Sequence, residues 1–176
     1  MGFGMQVDMS RPKDRPKGLA ITSQASGPID REIEITFPSH PEQVRRALQK
    51  VLASPLLTNP NQTAQEDDLR GTAEIVLAEV LNNIVEHAYA DQGGDITLRL
   101  VRHDGALHCT VTDTGAPMPG LCLPEGQFQP LKDLADLPEG GFGWFLIRTL
   151  TEGLAYQRSK GLNRLSFQLP AKQSDA

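Results

Sequence analysis

The twenty residues from Thr72 to Asp91, TAEIVLAEVLNNIVEHAYAD, contain neither proline nor glycine and are rich in helix formers. They are expected to form one continuous helix. At about 100° per residue, Leu69, Ala73, Val76, Val80, Ile84 and His87 share one side, and Leu77, Leu81 and Ala88 widen it. A stripe this broad suits a helix packed on a sheet rather than one lying loosely on a surface. Glu79 and Asn83 stand at its border, four residues apart and stacked on one face. Alone, such a pair is ordinarily a solvated glutamate and a core-edge asparagine, so the rest of the chain has to decide its meaning.

With 176 residues the chain is long enough for one domain with a real core. Its hydrophobic fraction of 39% and charged fraction of 22% are those of an ordinary globular protein. A net charge of −5 argues against a phosphate-reading nucleic-acid binder, which needs a basic surface. Neither a secretory apolar segment nor an apolar run near 18 residues is present, so a cytoplasmic protein without a membrane span is expected. Cys109 and Cys122 lack metal-ligand spacing, and their spacing leaves a single disulfide open.

Residues 1–28 are rich in Gly, Pro, Ser and alternating charges and read as a flexible extension. Glu32 to Phe37 alternates with Ile33, Ile35 and Phe37 on one side, as a half-buried strand does. Ser39 is the expected N-cap of a helix that opens on Pro41 and Glu42 and runs to about Ala53. Its apolar stripe leaves Arg45 and Arg46 exposed, as candidates for partner contact. Pro55 to Gln65 reads as a loop. Asp95 to Arg102 and Ala106 to Asp113 form a hairpin about His103-Asp104-Gly105. Thr114 to Pro138, with five prolines and three glycines, is long enough to be a functional lid. Gly140-Gly141-Phe142-Gly143 then opens a helix over Trp144 to Leu150, which Gly153 can close. A last hairpin, Leu154 to Gln157 and Leu165 to Leu169, turns at Lys160-Gly161. This order predicts an α+β fold, a two-layer sandwich with a mixed, mainly antiparallel sheet covered on one face by helices.

Three short motifs carry the chemistry. Asp113-Thr-Gly115 after a strand is usually a turn in which Asp bonds its own backbone. Gly140-Gly-Phe-Gly143 is either a hinge or a helix start whose free N–H groups hold an anion. Each is weak by itself. In order, and with Glu79-x-x-x-Asn83 ahead of them, they resemble the GHKL ATPase superfamily. More narrowly they resemble the stand-alone anti-sigma-factor serine kinases of the RsbW type. The likeness runs from about Ile33 to Leu169 and is closest in AEVLNNIVEHAY, VTDTG and EGGFGWFLIRTL.

That resemblance implies an ATP-binding kinase domain over residues 29–170, followed by a short tail at 171–176. It implies ATP and Mg²⁺ as cofactors, with Asn83 as the metal ligand and Glu79 as the base that accepts the attacking hydroxyl's proton. Asp113 would accept from the adenine amino group, and Gly115 would let the backbone approach the base. Gly140, Gly141 and Gly143 would turn N–H groups and a helix dipole toward the phosphates. His87 is expected to be a packing and hydrogen-bonding residue rather than a phosphoacceptor. Arg148 lies in the last helix without a direction that the sequence can settle, so no Lys or Arg is assigned to the transition state. The chain departs from other branches after Gly115, where Ala116-Pro117-Met118-Pro119 lacks a second glycine, and at Gly161-Leu-Asn163, where Gly-Thr is common. The implied function is a serine-protein kinase and anti-sigma-like switch. Its partners would be a sigma factor and a STAS-domain anti-sigma-antagonist, and homodimerisation is implied as well. The alternative is a nucleotide-binding partner-switch module without phosphoryl transfer.

Overall fold

The computed structural model describes residues 21–22, 31–58, 64–90, 92–126 and 142–170. Among these residues six strands make one sheet in the order β1-β2-β3-β4-β6-β5. They are β1 (Ile21–Thr22), β2 (Arg31–Pro38), β3 (Asp95–His103), β4 (Ala106–Asp113), β5 (Glu152–Ser159) and β6 (Leu162–Leu169). All five pairings are antiparallel. Among the described residues three α-helices, α1 (Pro41–Leu52), α2 (Ala64–Asn83) and α3 (Phe142–Leu150), form the second layer, with α2 between its two neighbours. The two-layer α+β sandwich is the one the sequence predicts. β1 lies within the stretch read as an extension and pairs its two residues with Glu34 and Ile35 of β2.

The alternation of each strand decides which face is covered. Ile35, Leu98, Val111 and Leu165 stand side by side across β2, β3, β4 and β6, all buried. Leu100, Cys109 and Phe167 form the next row. Val44, Ala47 and Val51 of α1, Leu69, Ala73, Val76, Leu77 and Val80 of α2, and Ile147 of α3 close over these rows. Each of the Val, Leu, Ile and Phe side chains among them contributes about 1.5–3 kcal/mol by leaving water. Both cysteines are free. Burial pushes the Cys109 thiol well above its usual range, so it stays a protonated core residue.

The two tight hairpins turn on Asp104-Gly105 and Lys160-Gly161, each pair with φ positive at both residues. This is the backbone that a two-residue turn between twisted strands requires. Elsewhere the local detail differs from expectation. Ser39 does not cap α1; His40 does, its Nδ1 accepting from the Glu42 N–H at 3.3 Å. Ser39 instead bonds Gly94 twice, donating its N–H to the carbonyl at 2.7 Å and accepting the amide proton on Oγ at 3.0 Å. Helix α3 ends at Leu150. Gly153 does adopt a positive φ of 59°, but in a bulge of β5 rather than at a helix end. Arg45 and Arg46 are exposed, the latter paired with Glu42 at 2.6 Å.

The opening helix starts earlier and ends differently from its sequence reading. It begins at Ala64, within the expected loop, and after Asn83 it widens into a π-helical turn, Ile84–Ala88. A wider turn moves later side chains off the stripe set by the preceding α-helix. His87, placed by periodicity on the apolar face, is therefore exposed, whereas Leu69, Ala73, Val76, Val80 and Ile84 of the same stripe stay buried.

Candidate nucleotide-binding site

The π turn delivers a backbone carbonyl where the sheet needs one. Ala88 O accepts from Ala116 N–H at 2.9 Å, joining the end of the helix to the loop that follows β4. Tyr89, buried at the helix exit, tightens the same junction. Its hydroxyl accepts from Thr114 N–H at 2.9 Å and donates to the Asp95 carbonyl at 3.1 Å. Gly115 has no positive φ; its lack of a side chain is demanded by proximity. An ideal Cβ there would lie 2.6 Å from Ala88 O and 2.8 Å from Ala88 Cβ. Gly94 answers the same requirement beside the Tyr89 ring, which a Cβ at that position would overlap.

Next to this junction is a cleft of about 610 Å³. Val80, Ile84, Met118, Trp144 and Leu165 give it apolar walls, and Asn83, Asp113 and Asn163 are its inward polar groups. Asp113 is 5% exposed, and its Oδ1 accepts from Gly115 N–H at 2.8 Å, the side-chain turn expected of Asp-x-Gly. Asn83, which lines the same cleft, has a buried Nδ2 with no hydrogen-bond partner among the described residues. An amide group left unsatisfied in a buried place costs about 1–3 kcal/mol, and in a cleft wall it marks a place for a ligand atom. A half-turn of the carboxamide presents oxygen there instead of nitrogen, so the residue fits a hard cation. Among the described residues no group of three or more His, Cys, Asp or Glu is placed to hold a metal. A cation at Asn83 would take its other ligands from substrate and water, as Mg²⁺ commonly does.

Helix α3 completes the site. Gly143 is its second residue, and an ideal Cβ there would overlap the Glu79 carboxylate, coming within 3.3 Å of Glu79 Cδ and 3.8 Å of Asn83 Nδ2. The two polar residues of α2 thus face the first turn of α3, whose leading N–H groups have no intrahelical acceptor. Glu79 and Asn83 are half-buried. Glu79, Asn83 and Gly143 are brought together; Asp113 lines the same cleft as Asn83, and Gly115 packs beside it on Ala88. Gly140 and Gly141 lie outside the described residues. Arg148 turns toward the described start of the segment read as a lid, which lies outside the described residues from position 127 on; its Nε donates to the Pro124 carbonyl at 2.7 Å and its Nη2 to the Leu123 carbonyl at 3.5 Å.

Sequence reasoning assigned no role to Asn163, Tyr156, Arg158 or Tyr89. For Asn163 a signal was present. The inward positions of β6 are 163, 165, 167 and 169, and an asparagine among Leu, Phe and Leu breaks the apolar alternation, as Asp113 does at the end of β4.

A helix-covered antiparallel sheet, with a polar-ended cleft between it and two helices, describes a histidine kinase-like ATPase domain. The model of that family matches residues 37–169, and the chain belongs to it. Among similar proteins, the serine-protein kinase RsbW of Halalkalibacterium halodurans is 31% identical over 132 residues, covering 74% of this chain and 78% of that protein. The serine-protein kinase RsbW of Bacillus mycoides is 31% identical over 94 residues, 52% of this chain and 59% of the other. That of Bacillus cereus is 26% identical over 136 residues, covering 76% and 82%. No helix among the described residues is long and apolar enough to cross a membrane.

Proposed function

We propose that this chain is an ATP-dependent serine-protein kinase that acts as an anti-sigma-like switch, phosphorylating a serine of a STAS-domain antagonist. The observation that carries the reading is the meeting of Glu79, the unpartnered Asn83 amide and Gly143 at the start of α3. Phosphoryl transfer requires little covalent help from a protein and much positioning and charge compensation. The first-turn N–H groups of α3 supply donors and a positive dipole end for phosphate oxygens. Asn83 would hold Mg²⁺, which offsets phosphate charge when bound. Glu79, one turn before Asn83, is placed to take the proton of an acceptor hydroxyl. Asp113, in the same cleft as Asn83, would offer a carboxylate oxygen to an amino group on the base. Sigma-factor capture in one nucleotide state, antagonist capture in the other, and a dimeric assembly belong to the same reading.

The direct trial is incubation of the purified chain with γ-labelled ATP, Mg²⁺ and a STAS-domain protein from the same cell. Label is expected on a serine of that protein, and Asn83→Ala should weaken Mg²⁺-dependent ATP binding tenfold or more. Mg²⁺-dependent binding with no transfer to any STAS serine would sink the kinase and leave the nucleotide clamp.

Gly143→Ala separates chemistry from stability. The added methyl meets the end of a flexible carboxylate side chain, and alanine favours a helix over glycine by about 0.8–1 kcal/mol. The fold should therefore melt no lower than wild type. Displacing the base by even about 1 Å can cost around a hundredfold in rate. A transfer rate equal to wild type in this variant would remove Glu79 from the base role.

A further inference from the structure

One step beyond the all-apolar row of the sheet, Phe37 and Ile96 are followed by Asp113, Asn163 and Arg158, paired strand to strand across β2, β3, β4, β6 and β5. The buried face thus ends in an anion, an amide and a cation, in that order. Asn163 is 4% exposed and fully bonded. Its Nδ2 donates to Asp113 Oδ1 at 2.8 Å and to the Ala116 carbonyl at 3.0 Å. Its Oδ1 accepts from the Tyr156 hydroxyl at 2.7 Å and from Arg158 Nη1. Two donors on the oxygen and three acceptors at the nitrogen, the third being the Gly115 carbonyl at 3.4 Å, leave only one orientation for the carboxamide, nitrogen toward the carboxylate. The half-buried guanidinium on the oxygen side favours the same orientation. Arg158 Nη1 also donates to the Gly115 carbonyl at 2.9 Å, and Tyr156 Oη accepts from Met118 N–H at 3.1 Å, so both partners hold the loop as well.

We propose that Asn163, locked by Arg158 and Tyr156, is the positioning residue that makes Asp113 select an amino group over a keto group on the bound base. The lock works through saturation. Asp113 Oδ1 is occupied twice, by Gly115 N–H and by Asn163 Nδ2. Only Oδ2 is then left to meet a ligand, and an ionised carboxylate oxygen accepts but does not donate. An adenine amino group satisfies it, whereas a keto oxygen at the same place leaves two acceptors facing each other. Without Asn163 the carboxylate can rotate and be reached by water, which blunts the discrimination. The inference rests on the nucleotide-binding reading and needs no phosphoryl transfer.

The experiment measures binding of ATP and of inosine triphosphate, which carries a keto group in place of the amino group, by calorimetry on the full chain. Asn163→Ala should lower the ATP-to-ITP preference at least about tenfold, the scale on which an unsatisfied buried group discriminates. Because Asn163 is buried, Arg158→Met on the edge strand serves as a second variant. It should lower the preference by a few-fold, and Arg158→Lys should restore part of it. A preference unchanged in both a folded Asn163→Ala and Arg158→Met overturns the assignment. If Asp113→Ala abolishes the preference while those two keep it, only this inference fails. Wild type that binds neither nucleotide overturns the binding reading along with it.

Discussion

Glu79→Gln should slow serine phosphorylation about a hundredfold or more while ATP binds as well as before, or slightly better. Glutamine keeps the size of the side chain and its contact with Gly143, but it cannot accept a proton as a carboxylate does. Positioned bases contribute about 10²–10⁴-fold. The lower end is expected here, because in a loose phosphoryl transition state the proton departs late and much of the acceleration comes from positioning and charge compensation. Binding should not fall, since Glu79 is not a wall of the large cleft, whereas Asn83 and Asp113 are. Removing a negative charge near the phosphate end relieves repulsion instead. Single-turnover transfer of label with a calorimetric measurement of ATP affinity separates the two effects. Transfer within a few-fold of wild type would mean that the proton leaves by another route, with Glu79 serving only to pack against α3.

How far the sequence carries this architecture depends on whether a feature is local. Strand alternation in DITLRLVR and ALHCTV, and the Asp104-Gly105 and Lys160-Gly161 turns, are set by neighbours two or three residues away, and they form as read. The helix interior is legible for the same reason. Its ends are not. Nothing in Ile84-Val85-Glu86-His87-Ala88 announces a widened turn; its last carbonyl is claimed by Ala116 N–H, 28 positions further on. The same tertiary pull takes Ser39 from its helix to Gly94. At the site, Glu79 and Asn83 are readable as a pair because one helix carries both. Their meeting with Gly143 depends on how α3 lies on α2, which periodicity cannot specify. Asn163 lies between these cases, because its inward position is visible in the alternation of β6 but its partners come from two other segments.

The largest stability effect is expected where that long-range junction has no slack, at Gly115. In Gly115→Ala the new methyl meets the Ala88 carbonyl oxygen, its carbon and its Cβ, all within about 3 Å. These are mainly backbone atoms, and they cannot swing aside as the Glu79 carboxylate can at Gly143. Either the π turn or the loop must move, and the Ala116 N–H to Ala88 O bond is lost with it. Overpacking of this kind costs about 1–3 kcal/mol, and the broken bond adds about 1 kcal/mol. The melting temperature should then drop by roughly 4–16 °C for a chain of this size. Gly71→Ala is the matched control, since Gly71 lies within α2 with nothing inside 4 Å of its ideal Cβ. That change should raise stability by about 0.5–1 kcal/mol, through helix propensity and a less free unfolded chain. Gly115 also holds the Asp113 turn through its N–H, so ATP affinity should fall in Gly115→Ala and stay unchanged in Gly71→Ala. Thermal melts of both variants with and without ATP decide the matter. Equal melting of Gly115→Ala and wild type would show that the helix end and the loop are free to separate, and the tight junction read from their contact would have to be given up.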